Sequence, residues 1–278
     1  IRSPGFQMHS GPKLADYQMS GREAAKVVGL EGLPLLEAAV VFGMDRMSPS
    51  IAAFALAEFK EDRSIQALTT SFANVRYVAH ALQAFGPKGV EAAKAIPTPD
   101  PSRERYDVRV SRHLGATETL ALAKDVKGIE NILEILNQPA PSNQQQDYTW
   151  AARINAALQM AKDYHDAHLI EPVLRLPSRP DFQTAMLELL AEYDDDRIVP
   201  FCAGFLSAKR DYDRNHDAAL KALVRRLGSG VVEYLTTRLA DAPEPKQRAA
   251  AAHGLGDLAT SYSLHWAVIE KDHSQARK

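Results

Sequence analysis

Oxygen-bearing side chains alternate along the segment Asp211–Asp217, as they do in the calcium-binding loop of an EF-hand. Such a loop also needs glycine at its sixth position and a bidentate glutamate at its twelfth. Here the sixth position is His216 and the twelfth is an alanine. The sequence therefore predicts a solvated loop without calcium, in which Asn215 or Asp217 caps a helix that begins near Ala218.

Two histidines, His165 and His168, are spaced closely enough to share a metal ion, with Asp163 and Asp166 beside them. A structural metal site needs several converging ligands, and no second cluster in the sequence completes this one. The single cysteine, Cys202, excludes an intrachain disulfide and a cysteine-rich zinc site. We therefore predict no metal and no cofactor, a polar turn between helices around the two histidines, and a buried thiol.

The bulk composition is typical of a soluble, folded protein. The chain has 278 residues, a formal net charge of −2 and a hydrophobic content of 45%. This charge gives no overall attraction to nucleic acid or to an anionic membrane. No apolar run reaches the roughly 20 residues that cross a bilayer. Because the first residue is Ile1, we expect trimming or processing, and the compartment stays open with the cytoplasm favoured.

Two short segments recur along the chain. Ala57–Arg63 returns as Ala191–Arg197, each time between two apolar helical runs. Val28–Leu33 reappears as Phe85–Val90, with glycines at the same two places. Self-similarity at a period of some tens of residues is typical of stacked helical hairpins, in which each hairpin buries its apolar face against its neighbours.

The helical pattern divides the chain into a lead-in and one domain. Residues 1–19 lack a sustained apolar period and predict an irregular lead-in. Ser20 and Glu23 fit a capping box, so residues 20–278 are predicted to form a single domain of helical hairpins. Proline-rich segments near 97–102 and 137–147 cannot continue a helix and are predicted to be loops.

A more specific pattern lies in the segments Asn74–Gly86 and Gln247–Leu258. Both place an arginine near the start, small residues after it, and leucine close to glycine. Each segment resembles the first helix of a HEAT-like repeat, of the kind named after the phycobilisome lyases. The resemblance implies a right-handed α-solenoid, and the repeat spacing predicts about eight HEAT-like hairpins.

Enzymes within this superfamily supply the alternatives. The HEAT-like deoxyhypusine hydroxylases hold iron with His-Glu dipeptides, and none of the nine histidines here precedes glutamate. The alkylpurine DNA glycosylases use a basic groove with aromatic residues and a carboxylate, which Trp150, Trp266, Arg153 and Asp147 could supply. The phycobilin lyases share the repeat. An enzyme or enzyme subunit that acts on nucleic acid or on a chromophore is therefore the alternative expectation.

The leading expectation is a non-catalytic scaffold or adaptor that binds a protein or peptide along the concave face formed by the second helices. A basic stripe of Lys221, Arg225 and Arg226 lies on a first helix and is predicted to be a solvated face. The oligomeric state stays open. The predicted contact residues are polar positions between the core residues of the second helices: Gln66, Thr69, Thr70, Glu91, Lys94, Arg175, Lys209, Glu233, Thr237 and Arg238.

Overall fold

The computed structural model describes residues 13–42, 48–73, 77–99, 108–141, 144–162, 164–207, 214–261, 264 and 267–269. Within these residues every regular element is a helix and no β-strand occurs, which confirms the all-α prediction. None of the helices in these ranges is long and apolar enough to cross a membrane. The chain divides into two compact units, Ile1–Asn131 (unit 1) and Ile132–Lys278 (unit 2). The expected single repeat domain over 20–278 stays a prediction.

Unit 1 is built from helical hairpins whose helices stack in two layers. One layer runs from α1 to α3, α5 and α7, and the other from α2 to α4 and α6. The helices are α1 (Leu14–Val28), α2 (Leu33–Phe42), α3 (Pro49–Phe59), α4 (Asp62–Thr70), α5 (Val78–Gln83), α6 (Pro87–Lys94), α7 (Val108–Leu122) and α8 (Val126–Leu136), the last of which extends beyond Asn131.

The turns inside the hairpins share one backbone feature. A residue with a left-handed or otherwise positive φ follows each first helix of unit 1, namely Gly29, Lys60, Gly86 and Lys124. Such a residue ends a helix and lets the chain reverse. Glycine adopts this conformation at the lowest free-energy cost, because it has no Cβ. The two recurring glycines, Gly29 and Gly86, have φ values of 65° and 61°. The sequence repeat therefore corresponds to a repeated turn.

Ion pairs connect successive second helices of unit 1. Glu37 of α2 meets Arg63 of α4 at 2.7 Å, and Asp62 of α4 meets Lys88 of α6 at 2.7 Å. Lys94 at the end of α6 then meets Asp125, which precedes α8, at 2.9 Å. Ion pairs at a protein surface contribute little to stability, because water and salt screen them. Their regular placement fixes the register between neighbouring hairpins more than it stabilises them.

The core of unit 1 lies between the two layers. It is formed by the apolar positions of the helical pattern, among them Leu36, Leu56, Leu68, Leu82 and Leu120, each without solvent exposure. α3 is alanine-rich, and Ala52, Ala53 and Ala55 are fully buried as well. Small side chains allow the neighbouring helix α1 to approach closely.

Unit 2 contains the remaining helices. α11 packs against α9 and α13, α12 against α13, and α14 against α13 and α15. Their bounds are α9 (Gln144–Ala161), α10 (Ile170–Arg175), α11 (Gln183–Leu190), α12 (Ile198–Ala203), α13 (Arg214–Leu227), α14 (Gly230–Asp241) and α15 (Pro245–Thr260). The buried side chains of Ile154, Leu158, Met186, Leu190 and Leu223 form much of its core.

An arginine links two of these hairpins. Arg197, just before α12, pairs with Glu171 of α10 and donates to Asp195 at 2.8 Å. Hydrogen bonds from the side chain and backbone of Arg197 lower the pKa of Asp195 to about 2. The pair Glu171–Arg197 parallels the links between second helices in unit 1, and Arg197 is the last residue of the recurring segment Ala191–Arg197.

Several predicted boundaries differ from the structure. α1 begins at Leu14 instead of Ser20, because Asp16 accepts the backbone N–H of Lys13 at 2.7 Å and caps the helix there. Residues 1–12 lie outside the described residues. Of the two predicted loops, 97–99 and 137–141 are non-helical, whereas 100–102 and 142–143 are outside the description and Gln144 already belongs to α9.

Candidate functional site

The structure distributes the predicted contact residues over four helices. They lie on α4 (Gln66, Thr69, Thr70), α6 (Glu91, Lys94), the end of α10 (Arg175) and α14 (Glu233, Thr237, Arg238). Lys209 lies outside the described residues. Most of these side chains are exposed, as predicted, and Arg238 is half-buried.

Three of them come together at a groove between α4 and α6. Gln66, Thr69 and Glu91 line a shallow, open cavity of about 550 Å³, which we call the α4/α6 groove. Its apolar lining includes Ile65 and Ile96. The remaining lining residues are Ala92, Ala95 and the ion pair Asp62–Lys88. The groove thus combines an apolar floor with a charged rim, which is the composition of a site that binds a peptide or a helix.

Thr69 is a correction to the predicted set, because it was expected to be exposed and is only 8% exposed. Its hydroxyl donates to the carbonyl of Gln66 at 3.1 Å. Its own carbonyl accepts from Nε of Arg112 on α7 at 3.3 Å. Thr69 therefore shapes the wall of the α4/α6 groove and fixes α7 against it.

Two other predicted residues are held by ion pairs. Lys94 lies between Glu91 at 3.2 Å and Asp125 at 2.9 Å. The hydrogen bond to Asp125 raises the pKa of Lys94, and the same bond lowers the pKa of Asp125. Arg175 pairs with Glu171 at 2.8 Å, one turn away on α10. Lys94 and Arg175 therefore take part in ion pairs within the protein, and these pairs compete with contacts to a partner.

Unit 2 has a larger cavity, of about 680 Å³, that the sequence analysis did not anticipate. One side of α13 lines it, through charged residues spaced three or four apart: Arg214, Asp217, Lys221 and Arg225. Further lining comes from Thr184 and Glu188 of α11, from Glu192 just after that helix, and from Lys162 and His165 after α9. We call this the unit 2 cavity.

The basic stripe predicted on α13 is not a uniformly solvated face. Lys221 and Arg225 line the unit 2 cavity, and Arg225 pairs with Glu192. Arg226 faces another way and is paired with Asp194 and, at 3.5 Å, with Asp196. The prediction was wrong for Arg226, whose side chain is only 19% exposed and is paired with the acidic turn before α12.

A cluster of two histidines and an aspartate joins α13 to α15. Nε2 of His216 lies 3.0 Å from Oδ2 of Asp257, and Nε2 of His253 lies 3.7 Å from the same oxygen. The imidazole rings are stacked, with centroids 4.6 Å apart. The backbone of Ser207 contacts both rings, since its N–H donates to Nδ1 of His216 and its carbonyl lies 2.9 Å from Nδ1 of His253.

The ligand atoms of this cluster are close enough to share a metal ion, within 4.8 Å of one another. The hydrogen bond from Ser207 argues against that use. An Nδ1 atom that accepts a backbone N–H carries no proton, so in the neutral ring Nε2 carries it and donates to Asp257. A metal on Nε2 would require the fully deprotonated ring of His216. The arrangement suits a buried hydrogen-bond cluster better than a metal centre.

Of the residues of the glycosylase-like alternative, Arg153 is buried, and Trp150 and Asp147 contact other parts of unit 2. Trp150 is 5% exposed, its Nε1 donates to the carbonyl of Gln138 at 3.1 Å, and its ring packs edge-on against Phe182. Asp147 pairs with Arg179, whose guanidinium lies over the Trp150 ring. Trp150 is thus buried, and Asp147 is engaged in an ion pair. Trp266 lies outside the described residues.

The helix that follows the calcium-like segment begins earlier than the sequence predicts. α13 begins at Arg214, so Asn215 lies inside the helix and does not cap one that begins near Ala218. Its amide donates to Oε1 of Gln183 at 2.7 Å and accepts from the hydroxyl of Thr184. Residues 211–213 lie outside the described residues.

The histidines at 165 and 168 occupy a polar turn between α9 and α10, as the sequence predicts. Asp166 accepts the backbone N–H of His168 at 2.8 Å, and this hydrogen bond lowers the pKa of Asp166. Nδ1 of His168 lies 2.7 Å from the same oxygen. His165 has a positive φ of 49°. Asp163 is outside the description.

Cys202 is fully buried on α12, which confirms its predicted place in the core. Burial alone raises the pKa of its thiol to about 12. A thiol that stays protonated is a poor nucleophile and a poor metal ligand. Cys202 therefore contributes to packing.

Comparison with known proteins adds no relative. No protein-family model matches the chain, and a search of curated proteins finds no match.

Proposed function

We propose that this chain is a non-catalytic protein-interaction scaffold, a right-handed α-solenoid of about eight HEAT-like hairpins. Two features support the proposal. The first helices and the second helices of unit 1 stack in separate layers, and each hairpin turn contains a residue with a positive φ. Repeat arrays of this kind present long surfaces formed by equivalent helices, which suits binding to a protein or peptide.

The observation that carries the proposal is the α4/α6 groove. Residues chosen from the sequence as contact positions, Gln66 and Glu91, line the same cavity from opposite helices. Apolar side chains such as Ile65 and Ile96 supply the surface that a partner would bury, and the charged rim orients it. Trp150 and Asp147, by contrast, are engaged in packing and ion pairing and give no support to the nucleobase alternative.

Site-specific photocrosslinking tests the groove directly. A photoreactive amino acid is placed at Gln66, in the groove, and in a matched protein at Val27, which is 86% exposed on α1 in the other layer of the same unit. We expect a discrete crosslinked partner from the native source at position 66 and none at position 27. The crosslink should disappear when Ile96 is changed to Glu, which places a charge on the apolar floor.

Equal crosslinking at both positions would mean non-specific contact and would contradict the proposal. The same holds for a crosslink at position 66 that survives Ile96→Glu in a folded variant. Circular dichroism establishes that each variant is folded before it is compared.

A further inference from the structure

We propose that the unit 2 cavity binds an acidic peptide segment of a protein partner, with Arg214 and Lys221 as the residues that bind its carboxylates. Both residues line the cavity, and both are exposed. Neither forms an ion pair with an acid of the described part of the chain, whereas Arg225, on the same face of α13, does. The two cations are therefore available to a ligand.

The charge inside the cavity favours an anion. Glu188 is paired with Lys162, and Glu192 is paired with Arg225. Apart from His165, the charged lining residues that remain are Arg214, Lys221 and Asp217, whose charges of +1, +1 and −1 leave +1. Acidic side chains that enter the cavity would thus meet uncompensated positive charge, which steers them in and rejects basic segments.

The spacing of the two cations selects the arrangement of the acids. Arg214 and Lys221 are separated along α13 by about 10 Å, at roughly 1.5 Å per helical residue. A peptide in the polyproline II conformation advances about 3.1 Å per residue with three residues per turn, so acids three residues apart lie on the same face, about 9 Å apart. A polyproline II segment with that spacing places one carboxylate beside each cation.

The rest of the lining provides space for the backbone of such a segment. Ala191, Ala218 and Ala222 line the cavity and leave room because their side chains are small. Thr184 and the apolar Leu264 also line it. The volume of about 680 Å³ is that of an ordinary ligand site.

This inference goes beyond the α4/α6 groove, because the cavity belongs to the other unit and can be tested without the partner of the groove. The probe is a fluorescein-labelled octapeptide of alanine with two glutamates three residues apart. Its control has glutamine at both positions. Fluorescence anisotropy with the full chain should show saturable binding of the glutamate peptide that weakens as sodium chloride is added, and weaker binding of the glutamine peptide.

The matched variants are Lys221→Gln and Lys246→Gln, which remove the same charge from exposed lysines on α13 and α15. We expect Lys221→Gln to raise the Kd on the order of tenfold, as for loss of one hydrogen bond to a charged group, and Lys246→Gln to leave it unchanged. Equal effects of the two variants, or equal affinity for the two peptides, would overturn the proposal. Failure of the glutamate peptide to bind, with or without binding of inorganic phosphate, would overturn it as well.

Discussion

Gly21 on α1 lies directly against Phe54 on α3, and a Cβ added to Gly21 would come within 2.4 Å of the Cβ of Phe54. Because the backbone carbon of Phe54 is also only 3.0 Å away, the two helices would have to separate. We expect Gly21→Ala to lower the free energy of unfolding by about 1–3 kcal/mol, the range for overpacked cores. A urea titration followed by circular dichroism measures the change.

The matched control for this substitution is Gly256 on α15, where an added Cβ would meet nothing within 4 Å. Gly256→Ala should leave stability unchanged or raise it by up to about 1 kcal/mol, since alanine is the better helix former. A loss of stability at Gly256 equal to that at Gly21 would show that the contact with Phe54 is not the cause of the loss at Gly21.

Leu82 and Gln83 are neighbours on α5 with opposite environments, and their substitution tests the helical register. Leu82 is fully buried, so Leu82→Ala should cost about 2–5 kcal/mol. Gln83 is exposed, and its amide donates to the carbonyl of Leu122 at 3.0 Å. Gln83→Ala should therefore cost about 1 kcal/mol, the value of one hydrogen bond. Comparable losses in a denaturant titration would contradict the register of α5.

The repeated features of the fold could be predicted because they are local. The first glycine of each recurring segment, Gly29 and Gly86, marks the end of a first helix, and both have a positive φ in the structure. The start of α1 was missed because Ser20 and Glu23 fit a capping box, while the cap that forms uses Asp16 on the backbone of Lys13. Two sites of similar chemistry compete, and the sequence alone does not rank them.

The candidate sites could be predicted only in part, for a related reason. Gln66 and Glu91 were proposed as contact residues because each lies at a polar position of a recurring helix, and both line the α4/α6 groove. The cluster of His216, His253 and Asp257 was missed because α13 and α15 bring together residues that are distant in sequence. The unit 2 cavity likewise depends on which side of α13 faces α11, and helical spacing leaves that side open.

The reactivity of the Cys202 thiol reports whether unit 2 opens around α12. Burial raises its pKa from 9.0 to about 12, so the thiolate is scarce in the folded protein at about pH 8. We expect Ellman's reagent to leave the folded chain unmodified and to label one thiol per chain in concentrated guanidinium chloride. Rapid labelling of the folded chain would show that α12 opens readily or that Cys202 is not in the core.

The His216–Asp257 hydrogen bond should stabilise unit 2 without any metal. Because Nδ1 of His216 accepts the N–H of Ser207, we expect EDTA to leave the melting temperature unchanged. Asp257→Ala should cost about 1–3 kcal/mol by leaving Nε2 of His216 without its acceptor. Asp257→Asn should cost less, because its amide oxygen can still accept. Differential scanning fluorimetry and urea titration measure these effects.

If the cluster of His216, His253 and Asp257 binds a metal ion, the opposite results are expected. Loss of several degrees with EDTA, restored by one divalent ion, would mean that the ring of His216 rearranges to bind metal. In that case Asp257→Asn, which removes the anionic ligand, should be nearly as damaging as Asp257→Ala.

Binding to duplex DNA should be weak, because several arginines of the described residues are already paired with acids. Arg63 is paired with Glu37, Arg197 with Glu171, and Arg225 with Glu192. Tight binding needs several clustered cations that release counterions from phosphates, and the chain has a net charge of −2. We expect a Kd no lower than the non-specific range of about 10⁻⁴ to 10⁻⁶ M in a gel-shift titration at physiological salt. A sub-micromolar, salt-sensitive Kd would favour the alternative of an enzyme that acts on nucleic acid over the scaffold.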